Sequence, residues 1–441
     1  MRIRYGRGRY FGENTSLVIA GVLIGVFGAL GAIALKQGVT ELTRLLHDQL
    51  FGTRRSLLVL VIPTCGILLS VLFTRYWLNG DLGRGLPTVL TAVRENKSLI
   101  EFHKLYSQVV TSILSMGTGG SAGLEAPIAV TGAAWGSHLA QWLKFDQATR
   151  TLLLACGAAA GISAIFNAPI AGAIFALEAI LLNIEIPLVV PVLIASASSA
   201  FVSSIIYKEH PFVLITDTWN AAALPYYAGL ALMAAGLSIY VVRVYFWMGT
   251  RLDRWKAPYS KAVLCGTMLG ILILFFPPLL GEGYEAVEKI LHQEAHLLAE
   301  YAPLQLELGA WNLEALVLAL MLLKVVATSL TLGGGGNGGM FGPSLFIGGM
   351  CGYAFSHAMN LSGLASLNEV NFTVVGMAAV LSGTIRVPLT AIFLIAEVTG
   401  GYALFVPLML VSSLTYLIAR TVQPNSIYSK PKEDQGHVAR T

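Results

Sequence analysis

The chain has 441 residues, of which 55% are hydrophobic and 12% charged, with a mean hydropathy of +0.70. That is about half the charge of an ordinary soluble domain, which excludes a water-soluble globule and makes a bilayer the solvent. The net charge of +4 is too small to suggest a nucleic-acid partner, and Cys65, Cys156, Cys265 and Cys351 lie in apolar segments without the paired spacing of a disulfide framework or zinc site.

In chain order, residues 1–15 form a short lead-in with Arg2, Arg4, Arg7 and Arg9. Apolar runs long enough to cross about 30 Å of hydrocarbon follow at Ser16–Leu35, Leu57–Phe73, Ile186–Ile206, Leu224–Tyr245, Ala262–Phe276, Ala315–Leu332 and Tyr402–Leu417. Between them lie shorter apolar pieces cut by Gly and Pro, around residues 86–93, 127–143, 151–163, 169–183, 343–358, 372–383 and 388–398. Irregular backbone at membrane depth is tolerated only where protein or a water-filled cavity satisfies it, so many half-helices predict the interior of a channel or transporter. The segment Gly281–Leu308, with six glutamates, reads as an exposed acidic loop on the outer face. After the last run come Arg420, Lys430, Lys432 and Arg440. The positive-inside rule therefore puts both termini in the cytoplasm and makes the number of crossings even.

The stretch Gly117–Gly136 (GTGGSAGLEAPIAVTGAAWG) recurs 216 positions later as Gly333–Gly352 (GGGGNGGMFGPSLFIGGMCG). Gly117, Gly119, Gly120, Gly123, Pro127, Gly132 and Gly136 fall on Gly333, Gly335, Gly336, Gly339, Pro343, Gly348 and Gly352. At an offset of 219 the register continues, with Gly157, Ser163, Pro169 and Glu178 falling on Gly376, Ser382, Pro388 and Glu397. Two collinear blocks mean an internal duplication. The first repeat runs over 16–206, a connector over 207–220, the second repeat over 221–421, and a tail over 422–441, too short for a regulatory domain. An even total permits each repeat an odd number of crossings, which would invert one against the other.

Pro fits the first turn of a helix, so Pro87, Pro127 and Pro343 mark helix starts just after Gly83–Gly85, Gly123 and Gly339. Helix N-termini carry unpaired N–H groups and about half a positive charge, a ready anion site. Glu125, at such a start, is costly in an apolar setting unless used, and its carboxylate could hold the field a permeating anion would take. Arg84, in Gly83-Arg84-Gly85-Leu86-Pro87, offers a permanent planar fork suited to bicarbonate or nitrate if it faces the pathway, and is an anchor if it snorkels. Glu178 and Glu397 read as structural, holding helix ends, and Lys324 and Arg386 as paired with a carboxylate or a carbonyl. His292 and His296 have helical spacing but belong to no metalloprotease motif and read as a solvated helix face. No nucleophile–base or metal constellation lies in the apolar core, which argues against an enzyme, and nothing calls for a cofactor.

These motifs resemble the CLC family of anion channels and anion/proton transporters. The likeness rests on GRGLP at Gly83–Pro87, GLEAP at Gly123–Pro127, GMFGP at Gly339–Pro343, NAPIAGAIFALE at Asn167–Glu178, RVPLTAIFLIAEVTG at Arg386–Gly400, and Tyr428. It implies an all-α integral membrane protein of about 18 helices, many not fully spanning, in two inverted repeats. It also implies a multi-pass homodimer in the cell membrane with one pathway per subunit. Carried over by motif, Glu125 matches the external gating glutamate. Gly83, Gly85, the backbone amides near Met340 and Phe341, and the Tyr428 hydroxyl match the anion-binding groups. Arg84 stands where the family usually has a serine, at a position whose substitutions accompany altered anion choice. Leu124 replaces the usual Lys or Arg, and Ala179 stands where proton-coupled relatives carry an inner glutamate. The expectation is transport of a small inorganic anion, bicarbonate first and nitrate second, without conventional proton coupling; the alternative is a chloride channel or chloride/proton antiporter.

Overall fold

The computed structural model describes residues 10–50, 58–83, 85–181, 186–207, 218–301 and 311–429. Among these are sixteen α-helices, against the eighteen that the resemblance implies. In the first half they are α1 (Tyr10–Leu50), α2 (Leu58–Trp77), α3 (Leu86–Arg94), α4 (Lys104–Met116), α5 (Glu125–Trp142), α6 (Gln147–Phe166), α7 (Pro169–Phe175) and α8 (Ile186–Ile206). In the second they are α9 (Leu224–Asp253), α10 (Pro258–Phe275), α11 (Tyr284–Leu291), α12 (Asn312–Gly334), α13 (Phe341–Leu361), α14 (Glu369–Ile385), α15 (Pro388–Thr399) and α16 (Phe405–Val422). The helix α1 begins inside the segment read as a lead-in, because Tyr10–Ser16 contains no breaker strong enough to stop it. The connector falls largely outside the described residues, and so does the tail beyond Ser429.

The halves pack alike. The helix α1 lies against α6 and α8 as α9 lies against α14 and α16, α5 against α6 as α13 against α14, and α2 against α4 as α10 against α12. Helix pairs that join the halves across the middle include α2 with α10, α7 with α15 and α5 with α13. Such pairing is what an inverted duplication produces.

The structure corrects the reading of the glycine-cut pieces. Residues 151–163 belong to the 20-residue α6, the piece 127–143 all but its last residue to the 18-residue α5, and 343–358 to the 21-residue α13. Eight helices among the described residues, not seven runs, are long and apolar enough to cross a membrane, and the extra one, α6, is largely enclosed by protein. The glycines within these helices mark crossings. A Cβ at Gly132 would strike the Gly157 carbonyl and one at Gly157 the Gly132 carbonyl, and their repeat mates Gly348 and Gly376 stand in the same relation. Bare backbone lets the axes approach more closely than any side chain would allow, as small residues do between helices in lipid. The true breaks are the segments between α4 and α5 and between α12 and α13, and they meet at the centre.

Candidate functional site

Where the two breaks meet, Gly123 N–H donates to the Gly339 carbonyl and Gly339 N–H to the Gly123 carbonyl, each at 2.8 Å, as an antiparallel bridge between repeat mates. The flanks are crossed in the same symmetric way. Asn337 N–H donates to Ser115 Oγ at 3.1 Å, and Ser121 N–H donates to Thr331 Oγ1 at 3.0 Å. Backbone groups freed by the breaks are thereby satisfied by the opposite repeat, as the absence of water in hydrocarbon demands. The starts of α5 and α13 are thus set beside each other. The start of α3 joins them, since a Cβ at Gly85 would lie 3.3 Å from the Ala126 Cβ and 3.9 Å from the Gly338 carbonyl. Three helix N-termini, with Pro87, Pro127 and Pro343 in their first turns, converge as the prolines predict.

Glu125 is 1% exposed. Its carboxylate meets its own backbone N–H at the start of α5 and also reaches the repeat-related helix. Gly342 N–H in the first turn of α13 donates to Oε2 at 3.2 Å, and the Tyr284 hydroxyl donates to Oε1 at 2.6 Å. The cause is the Gly123–Gly339 bridge. It carries Glu125 across the centre, so that the amides of α13 come within reach. The start of α5 also receives a second carboxylate: Leu124 N–H donates to Glu282 Oε1 at 3.1 Å.

Glu282 lies in the acidic segment read as exposed, yet it is half-buried and turned inward. Its surroundings explain the difference. Gly281-Glu282-Gly283-Tyr284 falls on Gly83-Arg84-Gly85-Leu86 at an offset of 198, and both loops lead into the short helices α3 and α11. All four glycines have positive φ, 78° at Gly83, 61° at Gly85, 59° at Gly281 and 88° at Gly283, a conformation that glycine adopts without penalty. A buried lysine fixes each loop. Lys104 Nζ of α4 donates to the Asp81 carbonyl at 2.9 Å and pairs with its carboxylate at 3.1 Å. Lys324 Nζ of α12 donates to the Leu279 and Gly281 carbonyls at 3.0 and 2.8 Å, the carbonyl pairing that its apolar setting suggests. Burial first, and then the charge of Glu125, push the Glu282 carboxyl up to about 8, while Leu124 N–H, Lys36 and Lys324 pull the other way. Sequence reasoning missed Glu282 and Tyr284 because the duplication was traced at an offset of 216. The Gly-X-Gly spacing was the available signal.

On the other side of the breaks a cavity of about 690 Å³ opens, with Gly83, Gly85, Asn337 and Gly338 toward the breaks and Arg75 and Lys261 among its lining. Arg84 itself lies outside the described residues, between these two loop glycines. Met340 caps α13 and Phe341 begins it, both buried, with the Phe341 ring 5.8 Å from Phe166 and 6.4 Å from Phe175. Tyr428 sits in the turn after α16, where Ile427 N–H bonds the Thr384 carbonyl, and its phenol interacts electrostatically with Glu125 and Tyr245. The structure therefore gathers Glu125, Gly83, Gly85, Met340, Phe341 and Tyr428 around the meeting point of the two breaks.

The remaining polar outliers are structural. Glu178 accepts from Leu389 N–H at 3.0 Å and from Thr390 N–H at 2.8 Å, and Glu397 accepts from Ile170 N–H at 3.2 Å and from Ala171 N–H at 2.9 Å. Each repeat thus caps the other's short helix. Arg386 ends α14 and reaches the Tyr416 and Gln423 carbonyls at 3.2 and 2.6 Å. His292 and His296 share no helix, because α11 stops at Leu291, and both are exposed. No group of three potential metal ligands is found among the described residues.

Fold and site together define a membrane protein with broken helices converging on a buried carboxylate, and comparison with known proteins names its kind. The family model described as voltage gated chloride channel matches residues 65–420, and the chain belongs to that family, the CLC proteins. It is 31% identical over 433 residues to a ClcB-like chloride channel protein of Ralstonia nicotianae, covering 94% of this chain and 96% of that one. It is 26% identical to the H+/Cl− exchange transporter ClcA of Vibrio cholerae over 94% of this chain and 88% of that protein. Among solved structures, a slow cyanobacterial Cl−/H+ antiporter superposes with a TM-score of 0.81 at 24% identity over 93% of this chain and 96% of the other. A CLC-type fluoride/proton antiporter superposes with a TM-score of 0.77 at 22% identity, over 95% and 98%. The chain is thus a multi-pass membrane protein of CLC-type anion transport, with the CLC fold.

Proposed function

We propose that this protein moves a planar inorganic oxyanion, bicarbonate first and nitrate second, along a pathway gated by Glu125. The observation that carries the gate is the Glu125 carboxylate on Gly342 N–H at the start of α13, a negative group holding an anion's place. Protonation or displacement of that carboxylate frees the amides, and the N-termini of α3 and α5 and the Tyr428 hydroxyl complete the cradle. The oxyanion preference rests on Arg84, whose loop glycines line the cavity that leads to the breaks. A guanidinium there offers two parallel N–H donors to two oxygens, which a spherical halide cannot use as well.

Absence of conventional proton coupling is supported by Ala179 in place of an inner glutamate. The adjacent Glu178 is committed to the amides of α15 and is not a free carrier. The second reading, a chloride channel or chloride/proton antiporter, is favoured by the names of the relatives above. The cavity side carries Arg75, Arg251, Arg254, Lys256 and Lys261 in or beside short loops, which supports placing it in the cytoplasm with both termini. The 18-residue α10, about 27 Å long, then carries the chain from Lys261 to the outer side, where Glu282 lies. Location in the cell membrane as a homodimer follows the family pattern.

The test is flux from proteoliposomes holding chloride, nitrate or bicarbonate, with and without a pH gradient. Oxyanion flux equal to or above chloride flux, without proton pumping, is the expected result. Chloride moving far faster than both oxyanions overturns the selectivity, and anion-driven proton pumping overturns the uncoupled reading. Arg84→Ser shifts preference toward halide if the guanidinium lines the pathway.

A further inference from the structure

We propose that Glu282 is a second gating carboxylate, which closes the N-terminus of α5 when ionised and releases it when protonated from the outer solution. This rests on the reading of Glu125 as the first gate.

One four-residue segment clasps the first broken stretch at three points. Gly281 N–H bonds the Gly120 carbonyl at 2.9 Å, Glu282 takes Leu124 N–H, and Tyr284 donates to Glu125 itself. The segment therefore touches the residue before the gate and the gate in one grip, and Lys324 holds its backbone from behind. Both symmetric helix starts thus meet a carboxylate from elsewhere, Glu125 reaching across to α13 and Glu282 reaching in to α5. A capping role alone does not explain this placement. Glu178 and Glu397 each cap a short helix with two adjacent amides. Glu282 instead sits where the charge of Glu125 opposes its own ionisation.

The groups facing it are Glu125 of α5, Tyr284 of α11, Lys36 of α1 and Lys324 of α12. Exposure decides the order of events. Glu125 is enclosed and Glu282 is half-exposed, so a proton arriving from outside meets Glu282 first. Neutralising it removes the negative charge that competes with an anion for Leu124 N–H. The loop register adds a functional contrast. In the sequence the loop position that holds Arg84 in the first repeat holds Glu282 in the second, so the two loops carry opposite charges at matched positions.

The experiment is anion flux from proteoliposomes as a function of external pH between 6 and 10, for wild type, Glu282→Gln, Glu282→Asp, Glu125→Gln and the Glu125→Gln/Glu282→Gln double variant. Wild-type flux falls as external pH rises through about 8. Glu282→Gln loses that step and runs more than about tenfold faster at alkaline pH, the weight of one charge-assisted hydrogen bond. In Glu125→Gln the step persists but moves to lower pH, because the charge that held Glu282 protonated is gone, and the double variant is flat. A Glu282→Gln profile that superimposes on wild type overturns the proposal and leaves the first gate standing. A Glu125→Gln profile identical to wild type overturns the first gate instead. If Glu282→Gln does not yield monodisperse protein, Glu282→Asp decides: a shorter arm withdraws from Leu124 and raises alkaline flux, and unchanged alkaline flux counts against Glu282.

Discussion

The two broken stretches share a backbone and differ in what fills it. Gly123 and Gly339 bond each other as equals, Ser115 and Thr331 brace the opposite strand alike, and Pro127 and Pro343 open α5 and α13 in the same way. Yet at matched positions Glu125 faces Phe341, and in the loops ahead of them Arg84 faces Glu282. The duplicated part brings the helix ends together, and the proposed gate rests on the unduplicated side chains. Symmetry here belongs to stability and asymmetry to function, and variants separate the two.

The largest effects belong to the symmetric helix crossings. Gly157→Ala and Gly376→Ala each drive a methyl into a facing carbonyl, Gly132 and Gly348 respectively, and each costs about 3 kcal/mol or more. Thermal melting in detergent should show similar drops for both mates; a harmless substitution at one would break the equivalence.

Next come the lysines. Lys324→Met abandons two carbonyls and removes a cation beside Glu282, at a cost of about 2–3 kcal/mol. Lys104→Met costs less, because the partner Asp81 carboxylate is 59% exposed and water replaces the lost cation. Equal melting shifts for the two would contradict that distinction.

Smaller again are the caps. Glu178→Ala removes bonds from Leu389 N–H, Thr390 N–H and the Thr390 hydroxyl, and Glu397→Ala removes those from Ile170 and Ala171 N–H. The expected losses are about 1 kcal/mol, larger for Glu178, with no change in anion selectivity in flux assays. Tyr284→Phe leaves stability near wild type and raises flux at fixed pH by about threefold, since one hydrogen bond no longer holds the Glu125 carboxylate in place.

The smallest signal is the pH dependence of stability from Glu282. Its folded value of about 8 lies above the ordinary carboxylate range, so the protonated form is favoured by folding. Its contribution is complete at acid pH and is lost as pH rises through about 8. Wild type should therefore melt lower at pH 9 than at pH 6 relative to Glu282→Gln, by a margin reduced by solvent at this half-exposed site.

Much of this was readable in the sequence because glycine and proline act locally. A Pro in a first turn and a Gly with positive φ specify helix starts without reference to the rest of the chain, so the three converging N-termini and the duplication were legible. The structural reading of Glu178, Glu397, Lys324 and Arg386 was legible too, since a charged group in an apolar setting must find a partner. What was not legible depends on contacts between distant segments. The glycines inside α5, α6, α13 and α14 look like breaks in one dimension and are crossings in three. The acceptance of Gly342 N–H by Glu125 requires the two breaks to be paired, and the inward turn of Glu282 requires the Lys324 bonds to its loop. Hydropathy also favoured seven runs, because α6 is rich in small residues and spends its length inside the protein.

The measurement that bears most directly on the gate is the external-pH dependence of anion flux in Glu125→Gln against wild type, in protein shown to melt normally. A glutamine keeps the shape of the side chain but not its charge. The variant should therefore lose the acid-activated component that Glu125 supplies and keep only the Glu282 step, moved to lower pH. Retention of that component, with the wild-type midpoint and amplitude, would contradict a gate at Glu125.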